Sequence, residues 1–469
     1  KVLAGQDTLS GKRRIRQIST DSRSVRRGDL FVALRGDRFD GHEFVPAVLA
    51  QGAVGAIVHD EYRLPPRAAA VHRIEGPSAP FLFGVRDPLF AYQQLATHYR
   101  SRFTIPMVAV TGSNGKTTTK DMVASVLAQR WSVLKTEGNF NNRIGVPSTL
   151  FRLTARHQAA VIEMGVDQQG QTTRLCEIVR PTIGLITNIG PDHLEFFGSM
   201  EGSAQAKAEL LDMLPSDGTA ILNADDTYFD YLAARAQCRV MSFGLSEKAD
   251  VRASGIMSDA RQGTTFRLHL PGKSRPTIVR IKVHGTHNVT NALAAAAVGI
   301  SLNLSGSMIA QGLGRFRPAA MRSQVVTHHG VHIINDCYNA NPASMKAALQ
   351  LLAQWSPARE RIAVLGDMLE LGSETVRMHR DVGEFLAVQG LSRLIVCGTL
   401  GRELGEGARQ GGMAGSQIDE VVDAAAAADR LKRIVRQGDV VLVKASRGMK
   451  MEQVVQVLTG MRAVTKQAS

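Results

Sequence analysis

Apolar residues in this chain come in short runs, each ending at a glycine-, asparagine- or aspartate-bearing turn and followed by a segment of helical period. Such runs read as buried strands, and strands alternating with amphipathic helices read as parallel α/β units. The first run, residues 29–34, closes on the turn Arg35-Gly36-Asp37, and a helix over 44–51 with a strand over 54–58 completes a small unit. Residues 87–101 predict a helix leading into a second unit, where 105–110 predicts a strand and 117–129 a helix. Further strands are expected at 159–162, 183–187 and 219–222. Residues 203–214 have the period of an amphipathic helix, and on that pattern Lys207 is a solvated helix lysine. Alternation between Thr264 and Val283, broken at Pro271-Gly272-Lys273, predicts a β-hairpin. His287-Asn288 is expected to cap an alanine-rich helix through Gly299. Residues 315–322 read as a linker. Beyond it, strands at 331–335, 361–365, 394–396 and 439–443 alternate with helices, the first over 343–352. The fold class is therefore α/β in three domains, placed at 1–102, 103–318 and 319–469. The middle one carries a mostly parallel sheet and the last a Rossmann-like doubly wound sheet, without a G-x-G-x-x-G after its first strand.

The length of 469 residues fits three domains at about 150 residues each. Charged residues make up 21%, ordinary for a globular chain, and the 292–300 stretch is too short for a membrane span. The start, Lys1-Val2-Leu3, has neither Met nor a secretory apolar core, so a processed end is expected. Cys176, Cys238, Cys337 and Cys397 are widely spaced and form no C-x-x-C, which suits a reduced cytoplasmic protein without a zinc site. The net charge of +14 is dispersed apart from Lys12-Arg13-Arg14, and aromatics are 5%. Few stacking platforms and scattered cations argue against nucleic acid, whereas a positive field suits small polyanions such as nucleotides.

Chemistry concentrates after the strand at 105–110. Thr111-Gly112-Ser113-Asn114-Gly115-Lys116-Thr117-Thr118 is a phosphate-loop pattern, although Val110 stands at its usual first glycine. Backbone N–H groups at a helix start cradle phosphate oxygens, Lys116 would reach the β/γ-phosphates, and Thr117 would ligate Mg²⁺. Other polar groups fall where parallel strands end, the usual place for ligands. They include Glu163, a natural Mg²⁺ ligand beside such a loop, and His193, beyond the strand at 183–187. Gly138-Asn139-Phe140-Asn141-Asn142 is a dense hydrogen-bonding loop, and Lys444-Ala445-Ser446-Arg447-Gly448 is a cationic strand-to-helix turn. Thr20-Asp21-Ser22-Arg23 reads as a polar turn, with groups able to meet phosphate and sugar hydroxyls.

Taken together, these motifs resemble the Mur ligases, the ATP-dependent amide-forming enzymes of peptidoglycan synthesis. The resemblance also rests on Ile186-Thr187-Asn188-Ile189-Gly190-Pro191-Asp192-His193-Leu194-Glu195, Asp336-Cys337-Tyr338-Asn339-Ala340-Asn341-Pro342 and Leu365-Gly366-Asp367-Met368-Leu369-Glu370-Leu371-Gly372. The phosphate loop is shared with folylpolyglutamate synthetases. The Tyr-Asn-Ala-Asn-Pro stretch points to the branch that adds D-alanyl-D-alanine to UDP-N-acetylmuramoyl-tripeptide. The resemblance implies an acyl phosphate made from ATP and a substrate carboxylate, which the dipeptide amine then attacks. Thr117 and Glu163 would hold one Mg²⁺, and His193 a second supported by a carbamylated Lys207. Asn288 would contact the nucleotide, and Arg322 and Asp336 would reach ATP from the C-terminal domain. Lys116, His193, Lys207, Arg322 and Asp336 are thus the expected catalytic set. Asp21, Ser22 and Arg23 would belong to the UDP-sugar site. Asn139, Asn142, Asn339, Asn341, Lys444, Ser446 and Arg447 are the remaining substrate candidates. A single cytoplasmic chain acting on small molecules is expected. The rivals are the diaminopimelate- or lysine-adding branch, whose usual signature has a His-Thr-Pro-type segment at the Tyr338–Pro342 position, and a nucleotide-dependent binding module.

Overall fold

The computed structural model describes residues 14–36, 39–64, 80–259 and 262–460, and among these the strands form three separate sheets. Lys1-Val2-Leu3, Lys12-Arg13 and Asp37 of the predicted turn lie outside the described residues. The first sheet is parallel, ordered Ile18–Ser19, Leu30–Val32, Gly55–His59, Phe81–Val85. The helix Pro88–Arg100 leads on from it, started by the Asp87 carboxylate, which accepts from the N–H groups of Leu89 and Phe90.

The second sheet has the order Thr277–Ile281, Gly263–His269, Val251–Asp259, Arg239–Gly244, Thr219–Asn223, Ile183–Ile186, Met107–Thr111, Ala159–Glu163, Val133–Lys135. Its strands are parallel except that Gly263–His269 runs antiparallel to both neighbours, forming the expected hairpin with Thr277–Ile281. One apolar layer packs Val108, Val110, Val161 and Leu185 against the helices Lys116–Leu127 and Thr286–Ser301. In the latter, Ala292 to Val298 are fully buried, small side chains letting the helix lie close to the sheet. The opposite face packs Ala109, Ile162, Ile186 and Leu222 against Gln171–Val179 and Met200–Asp212. Met107–Thr111 lies between strands reached in opposite directions, Ile183–Ile186 and Ala159–Glu163. A crevice therefore opens at its carboxyl end, where the phosphate loop begins.

The third sheet is ordered Gln324–His328, Val331–Asn335, Val440–Lys444, Arg361–Gly366, Arg393–Cys397, Ile418–Val421. It departs from the expected doubly wound parallel pattern at one edge, where Gln324–His328 pairs antiparallel with Val331–Asn335 through a tight turn at His329-Gly330. Two further expectations are corrected. His287 and Asn288 lie inside the first turn of Thr286–Ser301, and Gly285 occupies its cap position. Lys207 is 1% exposed, because its ammonium is turned inward onto the Asp192 carboxylate and the Ser203 hydroxyl.

Candidate active site

The phosphate loop is shaped by two glycines that tolerate no side chain. Gly112 has φ +132°, and a Cβ there would stand 2.1 Å from Thr187 Oγ1; at Gly115, φ +80°, it would meet Asn291 Oδ1 at 2.4 Å. Thr187 Oγ1 donates to Asn114 O (2.6 Å), Asn188 Oδ1 accepts from Asn114 N–H (2.9 Å), and Ser113 Oγ accepts from Gly190 N–H (2.7 Å). Thr111 is sealed beneath, donating to Met164 O. The loop is thus fixed by hydrogen bonds to the 187–190 segment. Lys116 Nζ folds back onto the loop, donating to Gly112 O (2.5 Å) and Ser113 O (3.1 Å). Lys116, Thr117 and Thr118 open the helix, where first-turn N–H groups have no partner within the helix and the dipole favours an anion.

Behind the loop lies a buried carboxylate, Glu163, at the end of Ala159–Glu163. Its Oε1 accepts from Thr117 Oγ1 (3.0 Å) and Asn141 Nδ2 (2.8 Å). Its Oε2 has no hydrogen-bond partner and stands 3.6 Å from the buried Lys120 ammonium, which donates to Thr136 O. A second buried pair joins Asp192 and Lys207. Lys207 Nζ donates to Asp192 Oδ1 (3.0 Å) and Ser203 Oγ (2.7 Å), 4.6 Å from the centre of the Phe197 ring. Burial alone would raise the Asp192 carboxyl, but Lys207, Lys116 and the Ser113 hydroxyl outweigh it and hold the group below its ordinary value. Burial pushes the Lys207 ammonium down, with Asp192 pulling the other way. His193 stands at the lip, its Nδ1 2.6 Å from Glu370 Oε2.

The C-terminal unit completes the cleft because Val331–Asn335 and Val440–Lys444 are adjacent parallel strands ending side by side. Asp336 Oδ2 accepts from Lys444 Nζ (2.6 Å), which also donates to Asn339 O (2.8 Å). Burial raises the Asp336 carboxyl, but Lys444 more than offsets this, and the group lies below its ordinary value. The Arg322 guanidinium lies 3.9 Å from the centre of the Tyr338 ring. Asn341 caps Pro342–Gln354 through Oδ1, and its Nδ2 reaches across to the phosphate loop, donating to Asn114 Oδ1 (2.9 Å). Asn288 donates to His284 O and accepts from Asn291, whose Oδ1 accepts from Thr119 on the loop helix.

A cleft of about 1280 Å³ joins these groups. Its walls include Ser113 to Thr118, Glu163, His193, Asn288, Arg322, Asp336, Asn339, Asn341 and Lys444, with Arg35 and Phe90 on the amino-terminal side. This exceeds the roughly 300–1,000 Å³ of a pocket for one small ligand and leaves room for more than a nucleotide. Asn142 also lines it, while its Oδ1 accepts from Ile144 and Gly145 N–H groups.

Other expected residues are not among the cleft's lining. Asn139 is outside it, and Lys207 lies beneath it. Asp21, Ser22 and Arg23 lie apart, with Arg23 forked on Asp21 at 2.9 Å and holding that carboxyl down. Ser446 is buried, its Oγ accepting from Leu369 N–H and donating to Ala340 O. Arg447 turns away to Glu452 (2.9 Å). The pattern reading passed over Asn141, Lys120, Asp192 and Glu370. All four sit in or beside quoted motifs, but only the folded chain shows what each one faces.

Three family descriptions match: Mur ligase family, catalytic domain over residues 14–82; Mur ligase middle domain over 110–299; and Mur ligase, glutamate ligase domain over 321–447. A curated relative from Synechocystis, UDP-N-acetylmuramoyl-tripeptide–D-alanyl-D-alanine ligase, is 39% identical over 96% of this chain and 93% of its own length. The crystal structure of MurF from Acinetobacter baumannii superposes with a TM-score of 0.85 at 34% identity, covering 95% of this chain and 94% of that one. MurF ligase from Thermotoga maritima, solved in complex with ADP, superposes with a TM-score of 0.81 at 26% identity, covering 96% and 98%.

Proposed function

The chain belongs to the Mur ligase family, and from that premise we propose how its cleft works. It is an ATP-dependent ligase that joins D-alanyl-D-alanine to UDP-N-acetylmuramoyl-tripeptide in peptidoglycan synthesis. The observation that carries this reading is the single cleft walled by the phosphate loop, the amino-terminal unit and the C-terminal unit together. A nucleotide, a peptide carboxylate and an amine have to meet in one place, and here one space borders all three units. Among the described residues no helix is long and apolar enough to cross a membrane.

The chemistry has two stages. A substrate carboxylate oxygen attacks the γ-phosphorus of ATP, forming an acyl phosphate and releasing ADP. The dipeptide amine then attacks the acyl carbon, loses a proton, and phosphate leaves. The first stage brings anions together, so positive charge and oriented donors carry the catalytic effort. Lys116 exchanges its two carbonyl partners for phosphate oxygens. The first-turn N–H groups hold the same anion, and Asn288 bounds the nucleotide side. Arg322 adds charge from the opposite wall, and Lys444, kept in place by Asp336, meets the incoming carboxylate or phosphate. Asn339 and Asn341 border the acceptor side.

The residues around Glu163 fit Mg²⁺. A buried carboxylate whose Oε1 stands 3.0 Å from the Thr117 hydroxyl, while its unpartnered Oε2 faces Lys120, supplies the hard oxygen donors such an ion takes alongside phosphate and water. When bound, such an ion neutralises phosphate charge in the first stage. The residues as placed do not complete a second site, because Lys207 donates to Asp192 and Ser203 and offers no lone pair to an ion. Carbamylation of Lys207, a neutral amine adding CO₂ and losing a proton, would replace a donor with oxygen acceptors, and burial already pushes the ammonium pKa down. Carbon-13 NMR with labelled bicarbonate tests it through a carbamate signal absent from Lys207→Met. Since one chain supplies every wall of the cleft, we take a single chain as the acting unit, to be checked by light scattering.

The deciding assay is phosphate release from ATP in the presence of UDP-linked tripeptide. Release is expected to require D-alanyl-D-alanine and to yield a new amide. Turnover with free diaminopimelate or lysine on the shorter UDP-dipeptide, and none with the D-alanyl dipeptide, would assign the chain to another branch.

A further inference from the structure

Two non-glycine residues with left-handed backbones face each other across the boundary between the central and C-terminal units. His193 has φ +51° and Glu370 φ +64°. Such conformations are uncommon outside glycine and concentrate where a side chain has to be aimed. Here the two side chains meet, Nδ1 to Oε2 at 2.6 Å. The backbones meet as well: Glu195 N–H points to Glu370 O at 3.4 Å, and a Cβ on Gly372 would touch Glu195 Cα at 3.4 Å. The imidazole also stands edge-on to Phe197, ring centres 6.4 Å apart, and the same Phe197 ring underlies the Lys207 ammonium. His193 is 30% exposed and Glu370 49%, so the pair is too open to hold two units together by charge. It is well placed to do something else. A carboxylate on Nδ1 holds the proton there, selects one tautomer, and leaves Nε2 as the ring nitrogen with a free lone pair.

We propose that Glu370 is a positioning residue for the ligase reaction. Delivered by the C-terminal unit, it fixes His193 as the Nδ1–H tautomer with its ring aimed into the cleft beside the phosphate loop. The site at His193 is then completed only when the C-terminal unit is seated, because the residue that orients the ring belongs to that unit. The inference rests on the ligase reading for its effect on rate, but the contact itself is open to direct observation.

Nitrogen-15 NMR of nucleotide-free enzyme reads the tautomer, with the His193 signals identified by their loss in His193→Asn. Expected is a protonated Nδ1 and an unprotonated Nε2 in the wild type. Glu370→Gln keeps an oxygen acceptor and the same tautomer, whereas Glu370→Ala moves toward a mixture of both. In the ligase assay Glu370→Ala is expected to lower kcat by about 10- to 100-fold with little change in KM for ATP, and Glu370→Gln to recover most of the rate. An unchanged tautomer in Glu370→Ala overturns the proposal, as does an unchanged or higher kcat, or an equal loss in Glu370→Gln. Failure of the wild type to form amide strikes instead at the ligase reading. The ring tautomer in Glu370→Ala then decides the contact alone.

Discussion

At the scale of single residues, the buried pair Lys207–Asp192 sets the sharpest expectation. Removing one partner leaves the other charge without compensation in a dry site, so Asp192→Ala is expected to destabilise the chain by about 3–5 kcal/mol in urea unfolding. The pH dependence has a definite sign. The Asp192 carboxyl lies below its ordinary 3.8 in the folded chain, so its contribution is complete above that value and disappears as pH falls through the depressed one. Asp336 behaves in the same way. The double variant Asp192→Asn/Asp336→Asn should therefore show a flatter stability–pH curve than the wild type below pH 3.8. Lys207 works in the opposite range. Its folded pKa lies below 10.5, so stability rises with pH between the lowered value and 10.5. None of this was read from the amphipathic pattern, although Lys207 stands one turn from Ser203, Ala204, Leu210 and Leu211 on the buried face. Helical period gives the face of a residue, but not whether a carboxylate from another loop will meet it.

At the scale of elements, the strands flanking the loop were legible because fully buried parallel strands are continuous apolar runs. Met107–Thr111 and Ala159–Glu163 fall within a residue or two of the expected spans. The antiparallel strand Gln324–His328 was missed because its half-exposed Gln-Val-Val-Thr-His sequence carries no strong apolar run. Gln324–His328 forms one edge of that sheet. The Gly112 turn was legible as a glycine but not as a contact with Thr187. Gly112→Ala forces a Cβ into that hydroxyl and an L-residue into φ +132°. We expect a loss of about 1–3 kcal/mol in stability, together with ADP binding weakened beyond detection by calorimetry. Binding at wild-type strength would mean that the loop can re-form around the methyl group.

At the scale of the molecule, the sequence motifs announced their chemistry but not their distances. Asp336 and Lys444 are 108 positions apart yet meet because their strands are neighbours, and Asn114 meets Asn341 across 227. Ser446 and Arg447, two and three residues beyond Lys444, turn elsewhere because each has a nearer bond to make, to Leu369 N–H and to Glu452. The join between the units also contains a reporter. Trp355 is buried between His284 of the central unit and His332 of the C-terminal one, ring centres 4.8 and 5.6 Å away. Trp131 is the other tryptophan in the chain. In a Trp131→Phe background, adding ATP and UDP-tripeptide should shift Trp355 emission if the units move as the substrates are enclosed. An emission spectrum identical with and without both substrates would mean that the units keep one arrangement.

The Asn339–Asn341 run has a consequence for how ligands sense one another. Its Asn339 carbonyl holds Lys444, and its Asn341 amide holds the phosphate loop. An occupant at Lys444 acts on the first bond and an occupant of the loop on the second, two residues away, so a coupling free energy between the two binding events would pass through this short run. That energy is reciprocal: by whatever factor an occupant of the loop alters affinity at Lys444, an occupant at Lys444 must alter affinity in the loop.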